Sequence, residues 1–314
     1  MSNMMLSNRS RRRGFSVVEL LLSMLIALVV ISSATAFTVN SWNTRRNWTV
    51  RETVDRSARF IGLAIARDAQ EAGVALESNP VFASLDASGD TLSILSVPYE
   101  PDESPVYAIW DDGIEEPFYP EPGNCGDHCI KFKKTNGAYV LKAGDIALLQ
   151  VGSERRLVYI THVTSDANNT FRVVISNAPR ILSRAAGLSD EIKLARSGTT
   201  LQKLNGVAYW RDASSQTLFR AQTFDASGSP QGQPIADGVE AFKVRLQFLD
   251  GGEESRYDGL DADTTNDGNQ IVGVRVEAVI KADEINPAIN NGQPVRRRYE
   301  WRVAPRNLLY EKNR

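Results

Sequence analysis

An α+β fold, one long amino-terminal helix laid against an antiparallel β-rich head, follows from three observations on the 314-residue chain. Leu20 to Phe37 is an uncharged, predominantly apolar run. Val50, Val54, Ala58, Ile61, Ile65, Ala69 and Ala72 then recur at steps of three and four, a narrow apolar stripe at helical period. After Pro80 the period changes to two, in short segments rich in β-branched and aromatic residues.

The apolar run justifies the first half of the helix. From Phe15 to Phe37 a helix rising ~1.5 Å per residue extends about 35 Å, enough for a hydrocarbon core about 30 Å thick. Glu19 lies inside it, where an acidic side chain costs on the order of 2.5–3.5 kcal/mol at the bilayer centre and less near the interface. A compensating partner is therefore expected. Trp42 and Trp48, with Arg45 and Arg46, follow the span and read as interfacial anchors. Arg9, Arg11, Arg12 and Arg13 precede it without an acid, but Arg45, Arg46 and Arg51 follow it, so charge asymmetry favours a cytoplasmic amino terminus only modestly.

The stripe carries the helix to a stop at Gly73, a residue suited to a C-cap. On the other face Glu52 with Arg56, Asp55 with Arg59, and Arg67 with Glu71 stand at i,i+4 spacing. Strands are expected at 91–97, 145–151, 156–163, 170–175, 207–211 and 217–222. The clearest alternation comes late: Phe242, Val244, Leu246 and Phe248 face one way, Lys243, Arg245 and Gln247 the other. Val272, Val274, Val276, Ala278 and Ile280 repeat it with Arg275 and Glu277 outward, and 297–303 supplies a last strand. Prolines 101, 105, 117, 120 and 122 among many acids make about 99–130 a long loop insertion.

Composition narrows the function. With 42% hydrophobic and 24% charged residues, the chain can build a sizeable core. A formal charge of −2 gives no basic field for nucleic acid. There is no Gly-x-Ser-x-Gly elbow, no His-Glu-x-x-His helix and no phosphate-binding glycine loop, and only His128 and His162 offer imidazole chemistry. An enzyme is not expected. In an oxidising compartment Cys125 and Cys129 can close a small-loop disulfide; free thiols, or a metal held by Cys125, His128 and Cys129, are the alternatives. The acidic run 258–268 offers hard oxygen ligands from Asp261, Asp263 and Asp267 for calcium. Its glycine falls too late for an EF-hand, and no glutamate closes the site, so a solvated acidic hairpin loop is the competing reading.

The junction Arg11-Arg12-Arg13-Gly14-Phe15-Ser16-Val17-Val18-Glu19 resembles the type III signal sequence of type IV pilins. The resemblance implies a leader peptide at 1–14 cut after Gly14, N-methylation of Phe15, a stem helix at 15–73 spanning the inner membrane at 15–37, and a head at 74–314. It also implies that Glu19 pairs with the free amine of Phe15 on a neighbouring subunit. Ala34-Thr35-Ala36 fits an ordinary secretory cleavage site, which would instead release a soluble protein beginning at Phe37.

Further segments resemble the PilW family of minor pilins and, less closely, the J-type minor pseudopilins of type II secretion. These are Arg67-Asp68 and Ala72-Gly73 at the stem end, Val207-Ala208-Tyr209-Trp210-Arg211, Thr217-Leu218-Phe219-Arg220, Ile235 to Glu240, Ile271 to Val276, and Arg297 to Asn307. Pro305 departs from the family's closing strand, and 80–205 resembles it poorly. The family implies a role in initiating pilus assembly, at the fibre tip, beside other minor pilins, the major pilin and a possible tip adhesin, after processing by the prepilin peptidase. The head would face the periplasm and then the cell surface. A secreted or membrane-tethered binding module is the remaining alternative.

Overall fold

The computed structural model describes residues 16–73, 85–97, 106–109, 117–118, 130–134, 141–151, 154–165, 170–177, 192–193, 199–225, 229–257, 265–282 and 292–305. One helix, α1 (Val17–Gln70), runs unbroken through both the apolar run and the stripe. Every residue of the stripe is buried. Glu71 caps the helix, and Gly73, at φ 74°, turns the chain so that its N–H donates to the Leu95 carbonyl at 2.9 Å. That left-handed backbone is why glycine stands there.

Among the described residues sixteen strands follow: β1 (Leu85–Ala87), β2 (Thr91–Ser96), β3 (Val106–Ile109), β4 (Pro117–Phe118), β5 (Ile130–Lys134), β6 (Ile146–Val151), β7 (Glu154–Ser165), β8 (Thr170–Asn177), β9 (Ile192–Lys193), β10 (Thr199–Asp212), β11 (Thr217–Phe224), β12 (Pro230–Ala236), β13 (Val239–Phe248), β14 (Glu253–Glu254), β15 (Ile271–Lys281) and β16 (Arg296–Val303). The fold is α+β and pilin-like: one long apolar amino-terminal helix and an antiparallel β-rich head.

The fourteen-residue β10 organises the head. Its first half pairs with β3 on one side and β6 on the other, and the ladder β3-β5-β8-β7-β6 joins those two partners, so six strands close into a ring. Phe132, Leu149, Val158, Ile160, Val173 and Leu201 fill its interior. Closure removes the exposed strand edges that an open sheet would present. The second half of β10 pairs instead with β2 and β11, forming the sheet β1-β2-β10-β11-β12. A separate sheet, β14-β13-β15-β16, faces this one across the main core, and the α1 stripe lies in the same core.

Some sequence expectations need correction. The interval 99–130 contains β3 and β4, hidden by its prolines and acids; Val106 to Ile109 is a short apolar segment that the barrel captures. In β15 the buried face includes Ile271 and Val274, with Val272 only half-buried. A register shift pairs Phe248 with Ile271 and Gln247 with Gly273, a bulge that slips the alternation by one residue. Asp55 does not stay on the outer face with Arg59. It turns toward β16 instead.

Candidate functional site

The amino-terminal half of α1 is built to be covered by something outside the chain. Its large side chains are exposed, Leu22 at 61% and Leu25 at 62%, and none of its most apolar stretch is buried. The helix is long and apolar enough to cross a membrane. Its hydroxyls do not spoil that surface: Ser23, Ser33, Thr35 and Thr38 each donate to a backbone carbonyl three or four residues earlier, so they carry their own partner into an apolar medium.

Glu19 is the only charged residue of α1 before Arg45. It forms a capping box with Ser16. The Ser16 N–H donates to Glu19 Oε2 at 3.1 Å, and the Val18 N–H donates to Ser16 Oγ at 3.3 Å. Two of the otherwise orphaned amides at the helix start are thereby satisfied. Oε1 of Glu19 has no hydrogen-bond partner among the described residues. The Ser16-x-x-Glu19 spacing is the sequence pattern of a capping box, which the reading of Glu19 as a membrane-buried acid passes over.

The other half of α1 is fastened to the head at two places. At its end Asp68 projects from the apolar stripe and is buried. Arg220 grips it with both ends of its fork, Nε to Oδ2 at 2.7 Å and Nη2 to Oδ1 at 2.9 Å, and the Tyr209 hydroxyl donates to the same Oδ2. Tyr209 and Arg220 are direct register partners across β10 and β11, so the sheet presents them side by side to the helix. Burial first, then the Asp68 carboxylate, push the Tyr209 hydroxyl well above its ordinary value. The hydrogen bonds to Asp68 likewise raise Arg220. The tyrosine therefore stays a neutral donor and the arginine a cation: a fastening, with no proton to exchange near neutral pH.

Half-way up, β16 grips the helix. Arg297 donates to Asp55 Oδ1 at 2.7 Å, and the Tyr299 hydroxyl donates to the same carboxylate. Trp301, stacked on Tyr299 with centroids 6.0 Å apart, lies flat on Gly62. A Cβ at Gly62 would stand 2.3 Å from Trp301 Nε1, so only glycine lets the indole approach. The Tyr299 hydroxyl and Arg297 hold Asp55 below its ordinary range. Burial and Asp55 push Tyr299 up to about 12.

Gly14, Phe15, Cys125, Cys129, Asp261 and Asp263 lie outside the described residues. Asp267 is buried and precedes the 3-10 turn Gly268–Gln270. Among the described residues no group of three or more His, Cys, Asp or Glu side chains is placed to hold a metal ion.

Residues 9–35 match the model of the prokaryotic N-terminal methylation motif. The match supports a type IV pilin-like or pseudopilin-like protein, of a kind that is structural, processed by a prepilin peptidase and assembled with other pilins. It agrees with a membrane-anchoring amino-terminal helix. No curated protein and no solved structure is a significant match to the chain.

Proposed function

We propose that the chain is a minor pilin that takes part in initiating type IV pilus assembly and sits at the fibre tip. The observation that carries the reading is Glu19: a lone carboxylate in the first turn of an exposed, membrane-length helix that begins within the methylation motif. Once the leader is removed after Gly14, Phe15 carries a free amine. Glu19 Oε2 is occupied by the subunit's own Ser16 N–H, and Oε1 accepts the amine of a neighbour. In an apolar bundle a misplaced register leaves both charges unpaired, which penalises every stagger but one.

Support for the PilW-type assignment comes from where the scattered resembling segments meet. Asp68, Tyr209 and Arg220 come from three of them and form one network; Arg297, Tyr299 and Trp301 come from a fourth and clamp the same helix. Amino-terminal sequencing and intact mass of protein extracted from membranes test the reading. A chain starting at methylated Phe15 is expected; a start at Phe37 overturns it. Glu19→Ala should leave processing and membrane insertion intact yet abolish incorporation into fibres. Wild-type incorporation would remove the registering role from Glu19.

A further inference from the structure

The stem helix divides its charges unequally. Its two inward acids, Asp55 and Asp68, are taken by Arg297 and Arg220 of the head. Its exposed charges past the span are Arg45, Arg46, Arg51, Arg56, Arg59 and Arg67, against Glu52 and, at the C-cap, Glu71; Glu52 pairs with Arg56 at 3.2 Å. At about 100° per residue Arg45, Arg56, Arg59 and Arg67 fall together on the side opposite the buried stripe, so in a chain of net charge −2 the outward face is basic. No carboxylate among the described residues pairs with Arg67; the i,i+4 partner expected in Glu71 does not meet it.

Within that basic face lie two exposed apolar side chains. Leu63 is 71% exposed and Phe60 53%. Leu63 is nine positions from both Val54 and Ala72 in the stripe, about two and a half helical turns, and so points directly away from the head. Two burials of this kind, rimmed by guanidinium groups, have the make-up of the anchor of a protein interface. The membrane cannot cover them. At about 1.5 Å per residue Phe60 and Leu63 stand about 35 and 39 Å beyond Phe37, while the polar layer outside the hydrocarbon core is only about 5–8 Å thick. Arg45 and Arg46 can serve lipid headgroups; Arg59 and Arg67 cannot. A second copy side by side would bring arginine against arginine, and like charges facing each other suppress association.

We propose that Phe60 and Leu63, flanked by Arg59 and Arg67, dock a different pilin-like subunit that presents an apolar surface bordered by carboxylates. The inference rests on the assembly reading above and names the chemistry of the partner. Electrostatic complementarity makes the contact selective for that partner, and the apolar pair supplies the contact area.

The test uses the full chain in its native host, with a photoreactive phenylalanine analogue at Leu63 and, as a control on the head, at Leu249, which is also exposed. Illumination should give an adduct at Leu63 and none at Leu249. Its mass should identify a different chain with its own amino-terminal methylation motif, cross-linked next to aspartate or glutamate. Arg67→Glu should abolish that adduct and Arg67→Lys retain it. With the amino terminus at Phe15 established in the same preparation, absence of an adduct overturns the inference alone. So does an adduct to lipid or to a second copy, or one indifferent to Arg67→Glu. A preparation not processed at Phe15 overturns the assembly reading and the docking face with it.

Discussion

Removing Arg220 should be the most damaging single change at the stem–head junction. Asp68 is almost fully enclosed, and Arg220→Ala leaves its carboxylate with only the Tyr209 hydroxyl. Breaking a buried ion pair from one side costs about 3–5 kcal/mol, because a charge stays behind without compensation. Arg220 is itself 23% exposed, which places the loss near the lower end, about 3 kcal/mol. At about 2–4 °C per kcal/mol for a domain of this size, the melting temperature should fall by about 6–12 °C. Asp68→Leu should cost less, since Arg220 can reach water. The double variant Asp68→Leu with Arg220→Met should return close to the parent, because no buried charge remains. Melting the four proteins side by side gives the coupling directly. A drop below about 2 °C for Arg220→Ala, or a double variant as unstable as the sum of its singles, would refute the assignment of this pair as the buried fastening.

Gly62→Ala offers the helix about 1 kcal/mol of propensity, but its Cβ would meet Trp301 at 2.3 Å. Overpacking of this kind typically costs about 1–3 kcal/mol, so a net loss of stability with a changed indole fluorescence is expected, and a gain would show that Trp301 yields freely. At low pH, Asp55 has a folded value below its unfolded one, so its contribution is complete above about pH 4 and is lost as pH falls through the folded value; Asp55→Asn should flatten the acid limb of a stability–pH curve. Tyr299 runs oppositely. With its folded value pushed up to about 12, the unfolded tyrosine ionises first as pH rises from about 10, and stability declines there; Tyr299→Phe should lessen that decline, with Tyr209 supplying the remainder. Cys125 and Cys129 should be joined in protein purified from the cell envelope; alkylation of either thiol without prior reduction, read by mass spectrometry, would exclude the bond.

Much of this arrangement was legible in the sequence because it depends on local period. The stripe from Val50 to Ala72 and the alternation from Phe242 to Phe248 identify their faces without knowledge of what they touch. What was not legible depends on closure at a distance. Nothing near Thr199 says that one strand will pair with β3 and β6 at once, and the barrel follows from that alone. Ile130–Lys134, with three lysines in five residues, and Pro230–Ala236, with two prolines, have poor strand composition; their neighbours in the sheet decide. The fastening was half visible. Asp68 sits at stripe spacing, where an acid requires a partner, but Tyr209 and Arg220 lie more than a hundred residues away and become neighbours only through the β10–β11 register.

The two faces of the stem helix therefore answer to different constraints, and this makes them separable by experiment. Inward, Asp55, Gly62 and Asp68 exist for the head: each is met by a side chain of β10, β11 or β16, and each should be read in the melting temperature. Outward, Phe60, Leu63 and Arg67 are exposed, so polar replacement there removes no buried contact and should change stability by no more than about 0.5 kcal/mol. If Leu63→Asp lowered the melting temperature as Arg220→Ala does, Leu63 would belong to the fold and could not be free for a partner. A leucine that the fold does not need, standing beside Arg59 and Arg67 on the side away from the head, is accounted for by a surface that becomes buried only on assembly.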